Sequence, residues 1–288
     1  MRTPSFTVFA LAAFAANSLL GRLALGGNAI DAASYTAIRI ASGALALLAL
    51  ALLAGKKGSL ATSGSWPSAL ALFLYAAPFS FAYRTIPAGV GALVLFGCVQ
   101  ATMIGSALAS GERPGALQWA GLVLALGGLG YLVRPGVAAP SAVGSGLMAV
   151  AGVSWGIYSL RGRGSRNPLA DTAANFLRAA LFAALTCLAL IGSSRAQPRG
   201  ILLAVLSGAV ASGVGYAAWY AALPGLTATR AATVQLAVPV LAAAGAVAWL
   251  GERITPRLVF ASLAILGGVA IAVAGRSRIA AAAPERRP

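Results

Sequence analysis

Apolar runs of about 20 residues recur along the whole sequence, and this recurrence constrains the fold more than any other feature. A helix rises 1.5 Å per residue, so a run of about 20 residues crosses the hydrocarbon core of a bilayer. Backbone amides in lipid need partners within the chain, so each run is expected to be a helix. The predicted spans are residues 4–25, 33–54, 66–86, 88–110, 114–133, 142–161, 170–192, 199–222, 225–249 and 256–275.

Composition supports an all-α integral membrane protein. Of the 288 residues, 59% are hydrophobic and 9% are charged, and the mean hydropathy is +0.87. Soluble domains carry about 25% charged residues because their surface faces water. The formal net charge of +16 is typical of some nucleic-acid-binding domains, but the basic residues are scattered over loops. We therefore expect contact with membrane lipid and no nucleic-acid partner.

The positions of the basic residues predict the orientation in the membrane. With ten spans both termini share one side, which receives twelve of the 21 lysines and arginines. Seven fall on the other side, and Arg39 and Arg178 fall inside spans. Cytoplasmic loops are enriched in Lys and Arg, so both termini are predicted to be cytoplasmic, in a bacterial inner membrane.

The two halves of the sequence repeat each other. A shift of about 140 residues places Gly111-Glu112-Arg113 on Gly251-Glu252-Arg253, Gly127-Gly128 on Gly267-Gly268, and Arg39 on Arg178. Each half has five spans, an odd number, so the second half is expected to be inverted relative to the first. Inverted repeats are typical of secondary transporters, which bind substrate between the halves. The predicted units are 1–137 and 138–275 for the two five-helix repeats, and 276–288 for a cytoplasmic tail expected to be disordered.

Particular residues of the second half resemble a known family. The stretch 205–216, Trp219, Pro239 and Gly251-Glu252-Arg253 resemble the second EamA-type domain of the drug/metabolite transporter superfamily. Trp155-Gly156 and Arg178 also match, whereas the first half has Asn17-Ser18 where Trp-Gly is usual. Within the family the sequence is most similar to YddG-type exporters of aromatic amino acids. The resemblance implies a ten-helix basket, a cavity lined by helices 1, 3, 4, 6, 8 and 9, and export of metabolites.

The residue inventory argues against an enzyme. The chain has no histidine and five acidic residues, which are Asp31, Glu112, Asp171, Glu252 and Glu285, all predicted in loops, at span ends or in the tail. We expect no metal, no cofactor and no catalytic residue. Gly152 to Gly156 matches the G-x-S-x-G pattern of hydrolases, but the chain offers no base and no strand before it. The same glycines suit close contact between helices.

The lack of acids inside spans also bears on energetics. Proton-coupled carriers need a titratable group in the pathway. We therefore predict an uncoupled facilitator that moves substrate down its own gradient. The Glu112 and Glu252 carboxylates are expected to hold helix ends in place.

Polar groups inside spans are candidates for substrate contact, because a solute that leaves water needs replacement partners. The candidates are Asn17, Gln100 and Gln235. Pro239 removes the helical donor to the Gln235 carbonyl, and Pro78 does the same for Leu74. Each freed carbonyl either receives a substrate ammonium group or marks a kink. Arg39 and Arg178 lie near span starts, so they either snorkel as anchors or act in gating and binding.

Aromatic side chains at helical spacing are the remaining candidates. They suit stacking on an apolar or aromatic solute, although interfacial belts of Trp and Tyr arise regardless of function. The set comprises Tyr75, Phe79 and Tyr83 on the third span, Trp155 and Tyr158 on the sixth, and Tyr216 and Trp219 on the eighth.

These features predict export of small metabolites, above all amino acids with hydrophobic or aromatic side chains, by alternating access. The alternatives are a proton-coupled multidrug or nucleoside efflux carrier, an intramembrane enzyme, and a structural or receptor role. The sequence leaves the oligomeric state open and is compatible with a monomer.

Overall fold

The computed structural model describes residues 2–55, 60, 62–109, 115–135, 139–163, 165–226 and 234–282. Within these ranges the chain is helical, with one isolated β-bridge between Ile30 and Ala196 and no strand. A π-helical segment, Leu206–Val214, continues without a break from the helix Pro198–Val205 into the helix Gly215–Ala222. The helices are α1 (Arg2–Gly26), α2 (Ala32–Leu53), α3 (Trp66–Ala82), α4 (Ala88–Ala109), α5 (Ala116–Val133), α6 (Ala142–Arg161), α7 (Pro168–Ala189), α8 (Pro198–Val205), α9 (Gly215–Ala222), α10 (Ala237–Leu250) and α11 (Pro256–Ala282).

The helices follow the apolar runs of the sequence. Seven helical stretches in the described ranges are long and apolar enough to cross a membrane, and the continuous stretch Pro198–Gly225 is one of them. Trp66–Ala82, Ala237–Leu250 and Pro256–Ala272 are apolar but shorter. Every predicted span contains a described helix, because hydrophobic length sets where a chain can cross lipid.

Two boundaries differ most from the predicted spans. In the ninth span the described helix α10 begins at Ala237, after a turn at Leu236, and residues 227–233 lie outside the described ranges. In the tenth span, α11 is described as far as Ala282, beyond the predicted end at residue 275. The alanine-rich sequence there has high helix propensity. Residues 283–288 lie outside the described ranges.

Small residues bring the inner helices close together. A Cβ at Gly152 of α6 would lie 2.5 Å from the Leu95 carbonyl oxygen of α4, and one at Gly156 would lie 2.8 Å from Thr102 Cβ. These two glycines therefore form a helix-packing face, as expected for Gly-x-x-x-Gly. The helix α6 also packs against α3, and α2 packs against α7 and the π segment.

The helices α5 and α11 approach each other closely at glycine residues. A Cβ at Gly128 would lie 2.7 Å from Ala264 Cβ, and one at Gly268 would lie 2.5 Å from the Ala125 amide nitrogen. Gly127 and Gly267, in contrast, have open space beside them. Only the second glycine of each Gly-Gly pair is therefore used for close packing.

Two aspartates at helix starts hold distant loops. Asp31 caps α2 by accepting the Ser34 amide, and its other oxygen accepts the Arg195 amide ahead of α8. Asp171, in the first turn of α7, accepts the Gly64 amide ahead of α3. Burial opposes ionisation of Asp31, but hydrogen bonds from Ser34 and Arg195 outweigh it and hold its pKa below the usual 3.8.

Glu252 stabilises a helix other than its own. Its carboxylate accepts the Ala88 amide at 2.8 Å, at the N-terminus of α4, and lies 3.6 Å from the Arg22 guanidinium. An acid at this position satisfies a free amide and matches the helix dipole. Holding a helix end in place is the role predicted for Glu252. Glu112, its counterpart in the repeat, lies outside the described residues.

Candidate functional site

A small cavity lies between the inner helices. It encloses about 20 Å³, room for about one water molecule. Little free space is therefore left between the side chains that line it. The helices α1, α3, α4, α6 and α9 line it, with Phe14, Asn17, Ser18, Tyr75, Phe79, Leu95, Phe96, Trp155 and Tyr216. These helices are five of the six that the family resemblance implies, whereas α10 contributes none of the lining residues.

Aromatic rings surround the cavity in one connected cluster. The Trp155 ring is at its centre, with centroid distances of 4.9 Å to Tyr75 and 5.0 Å to Tyr216. Tyr158 stacks on Trp155 at 5.5 Å. Such contacts each contribute about 0.5–1.5 kcal/mol beyond the area they bury. Further edge-on or tilted pairs join Tyr75 to Phe79, Phe79 to Tyr83, Phe14 to Tyr216 and Phe14 to Trp219.

A polar network lies on one side of the cluster. The Tyr75 hydroxyl accepts a hydrogen bond from Arg39 Nη2 at 2.7 Å and another from Asn17 Nδ2 at 3.0 Å. The π segment completes the network, because Ser207 donates to Asn17 Oδ1 and Ser212 accepts from Arg39 Nε at 3.4 Å. Gly208 makes this close approach possible, since a Cβ there would collide with the Arg39 carbonyl oxygen.

Arg39 is buried, with 2% of its surface exposed. Its guanidinium carbon lies 5.0 Å from the Tyr75 ring centroid and 4.6 Å from that of Phe79. This burial disfavours the anchoring alternative for Arg39, because the side chain of this α2 residue is enclosed by α3 and the π segment. Arg39 Nη1 has no hydrogen-bond partner among the described residues.

Two larger cavities flank the small central cavity. One, of about 190 Å³, lies at the start of α3 and the end of α6 and includes Ser68, Tyr158 and Asn175. The other, of about 200 Å³, lies beyond the opposite end of α3 and includes Thr85 and Glu252. Tyr158 therefore connects the first of them to the aromatic cluster.

The structure brings most of the predicted aromatic and polar residues together. Five line the cavity, namely Asn17, Tyr75, Phe79, Trp155 and Tyr216. Tyr83, Tyr158 and Trp219 are buried in the same ring cluster without lining the cavity.

Gln100 and Gln235 do not line the central cavity. Gln100 faces a cavity of about 10 Å³ between α4, α5 and α11. On α4 the central face carries Leu95 and Phe96 instead. Gln235 is half-buried, one residue before the turn at Leu236, and Pro239 lies in the first turn of α10. A proline there removes no hydrogen bond within α10, because the first four amides of a helix have no internal acceptor.

Pro78 and Arg178 also lie away from the centre. Leu74, whose carbonyl Pro78 frees, has a 40% exposed side chain on the outer face of α3, whereas Tyr75 and Phe79 face the cavity. A substrate contact at the Leu74 carbonyl is therefore not supported. Arg178 donates to the Ser63 carbonyl at 2.8 Å and lies 6.0 Å from the Trp66 ring. This geometry matches the anchoring alternative.

The site contains residues that the sequence interpretation missed. Phe14 precedes Asn17 by three residues, so helical spacing places both on one face of α1 and was a usable signal. Ser18, Leu95 and Phe96 carry no comparable signal in the sequence. Ser207 and Ser212 lie in the π segment, where the angular spacing of side chains departs from the α-helical period. Among the described residues no cluster of His, Cys, Asp or Glu is suited to a metal ion.

Comparison with known proteins agrees with this architecture. Residues 142–274 match the model of the EamA-like transporter family. A Pseudomonas aeruginosa protein named Uncharacterized protein PA1977 is 53% identical over 275 residues, which cover 96% of each chain. A solved structure titled "Crystal structure of protein" superposes with a TM-score of 0.67 at 22% identity, covering 94% of this chain and 99% of the other. At that identity the superposition supports the fold alone.

Proposed function

We propose that the chain is a member of the EamA-like transporter family, whose model matches residues 142–274, and that it exports amino acids with hydrophobic or aromatic side chains. It is a multi-pass membrane protein of a family that transports small molecules. The observation that carries the proposal is the small central cavity with its aromatic wall and its polar cluster around Tyr75. Aromatic rings suit an apolar side chain, and a few placed polar groups orient the remainder of a small solute.

Alternating access is the proposed mechanism. The small central cavity lies between two larger cavities at opposite ends of α3. In this arrangement the substrate site opens first to one cavity and then to the other as the two halves rock. The polar side chains that line the flanking cavities, such as Ser68 and Thr85, suit hydrated entrances.

Ten membrane helices in two inverted repeats are part of the same proposal. The helix contacts of one repeat have counterparts in the other. The third and fourth helices of the first repeat, α3 and α4, pack on α6. In the same way, the α8–α9 stretch and α10 of the second repeat pack on α1. Asp31 and Asp171 play equivalent parts, each holding the chain ahead of the third helix of the other repeat. These correspondences support a pseudo-two-fold axis between the halves.

We further propose that transport is uncoupled, with both termini in the cytoplasm of a bacterial cell. None of the nine residues that line the central cavity is titratable near neutral pH. The described acids, Asp31, Asp171 and Glu252, are all engaged at helix ends. A proton relay needs an acid or a histidine in the pathway, so accumulation of substrate in the cytoplasm supplies the driving force.

Counterflow in proteoliposomes tests the proposal. Vesicles loaded with unlabelled phenylalanine, methionine or threonine are diluted into trace labelled amino acid without any ion gradient. We expect label to accumulate, and Trp155→Ala to reduce the rate at least tenfold. Trp119→Ala is the matched control, because Trp119 is 47% exposed on α5 and is expected to leave the rate unchanged.

The outcomes separate the candidate functions. Absence of accumulation with folded, inserted protein would contradict amino-acid export. Label accumulation only under an imposed pH gradient would favour a proton-coupled carrier. Counterflow of nucleosides or lipophilic cations, but not of amino acids, would favour the efflux alternative.

A further inference from the structure

Arg39 is a cation buried without an acidic partner among the described residues. The three described acids are engaged elsewhere: Asp31 with Ser34 and Arg195, Asp171 with Gly64, and Glu252 with α4 and Arg22. Arg39 itself contacts only neutral groups, which are two hydroxyls and two ring faces. Burying a charge without a counter-charge is costly, and a charge inside a membrane span is a functional candidate for that reason.

The donors and acceptors around Tyr75 are unbalanced. Arg39 uses Nη2 on Tyr75 and Nε on Ser212, which leaves Nη1 without a described partner. The Tyr75 oxygen accepts from both Arg39 and Asn17, so both of its lone pairs are occupied. Tyr75 is also a hydrogen-bond partner of the neighbouring Tyr216. The unused donor of the cluster is therefore Arg39 Nη1, which carries part of the positive charge.

This combination fits an anion. Carboxylates accept several hydrogen bonds and bind most strongly to charged donors, above all to arginine. Tyr75 lines the central cavity, and the Arg39 charge lies 5.0 Å from its ring, so the positive potential reaches any solute held there. Nothing among the nine lining residues offers a negative charge to pair with an ammonium group.

We propose that Arg39 and Tyr75 form a carboxylate-binding site, and that the carboxylate is the substrate group this cavity recognises. The inference rests on the proposed transport function and narrows its substrate class to small organic monocarboxylates with an aromatic or apolar side group. An α-ammonium group is not required, so carboxylic acids that lack one are substrates as well. Amides and amines of the same shape, which lack the carboxylate, are excluded.

Four ligands of similar shape test the site on wild-type protein. Thermal unfolding of the purified full-length chain in detergent is measured at pH 7 with phenylalanine, 3-phenylpropionate, phenylalaninamide and phenethylamine. We expect the two carboxylates to raise the unfolding temperature in a saturable way and the amide and amine to leave it unchanged. Equal stabilisation by the amide or the amine would overturn the inference.

Variants assign the effect to Arg39. Arg39→Gln should weaken carboxylate binding at least tenfold, and Arg39→Lys should restore part of it by returning the charge. Arg178→Gln is the matched control, because Arg178 occupies the equivalent place in the other half and contacts the Ser63 carbonyl outside the cavity. Unchanged carboxylate affinity in folded Arg39→Gln protein would overturn the assignment. If Arg39→Gln does not fold, the ligand comparison on wild-type protein decides.

Failure of this inference is distinguishable from failure of the proposed function. In one outcome, phenylalanine shows counterflow, and phenylalaninamide inhibits it as strongly as 3-phenylpropionate does. This result would support amino-acid export and contradict the carboxylate site. Binding and counterflow of 3-phenylpropionate without any of phenylalanine would support the carboxylate site and contradict amino-acid export.

Discussion

Tyr75 lines the central cavity, and its hydroxyl accepts a hydrogen bond from the buried Arg39. Tyr75→Phe therefore tests how much the buried polar network contributes to stability. The substitution keeps the ring and its contacts with Trp155 and Phe79. It removes one oxygen that accepts hydrogen bonds from Arg39 Nη2 at 2.7 Å and from Asn17 Nδ2 at 3.0 Å. Two buried donors, one of them charged, are thereby left without their acceptor.

The magnitude follows from these two bonds. A hydrogen bond to a charged group contributes about 1.5–3 kcal/mol in soluble proteins, and a neutral one contributes about 1 kcal/mol. Values measured within membranes are smaller, averaging about 0.6 kcal/mol with a maximum near 1.7. We therefore expect Tyr75→Phe to lower the free energy of unfolding by about 1–3 kcal/mol.

The assay is unfolding by SDS in mixed micelles, followed by the loss of helical circular dichroism. Tyr131→Phe is the matched control, because Tyr131 is 44% exposed on α5 and is expected to change stability by less than about 0.5 kcal/mol. A Tyr75→Phe protein as stable as the control would refute the reasoning, because the buried network would then contribute nothing measurable.

Three further predictions concern the helix contacts and use the same assay. Gly128→Ala should lower the free energy of unfolding by about 1–3 kcal/mol, because the new methyl group would collide with Ala264 across the α5–α11 contact. Gly127→Ala is the control, because its methyl group would point into open space. Equal effects of the two substitutions would contradict this packing. Glu252→Ala should cost about 1–2 kcal/mol by removing the cap of α4, and an unchanged midpoint would count against that role. The pKa of Asp31 is lowered in the folded state, so the ionised carboxylate stabilises the fold above pH 3.8, and this stabilisation is lost as the pH falls through the folded-state pKa. Asp31→Asn should lack this part of the acid-induced loss of stability. Identical pH profiles of stability for the variant and the wild type would refute the prediction.

The sequence predicted the helices well because crossing lipid imposes a length that can be counted. It predicted the site less completely, since a polar residue within a span does not reveal which face its helix turns inward. Gln100 and Tyr75 were equal candidates, yet only Tyr75 faces the centre. For Arg39 the sequence left anchoring at the interface and a role in gating or binding both open, and only the packing of α2 against the π segment shows that the side chain is enclosed. No sequence pattern identifies the π segment in advance, so the contact between Ser212 and Arg39 could not be predicted.

Thiol accessibility of the central cavity tests most directly the claim that it is a transport site reached alternately from both sides. Ser18→Cys places a thiol on the lining, in a protein whose own thiols are removed by Cys98→Ala and Cys187→Ser. Ser80→Cys is the control, because Ser80 of α3 is fully buried against α2, where its hydroxyl accepts a hydrogen bond from Thr36. The account predicts that a membrane-impermeant reagent modifies Ser18→Cys from either face of the membrane, that substrate changes the rate, and that Ser80→Cys stays unmodified. Modification of Ser18→Cys from one face alone, in protein that still transports, would contradict the account.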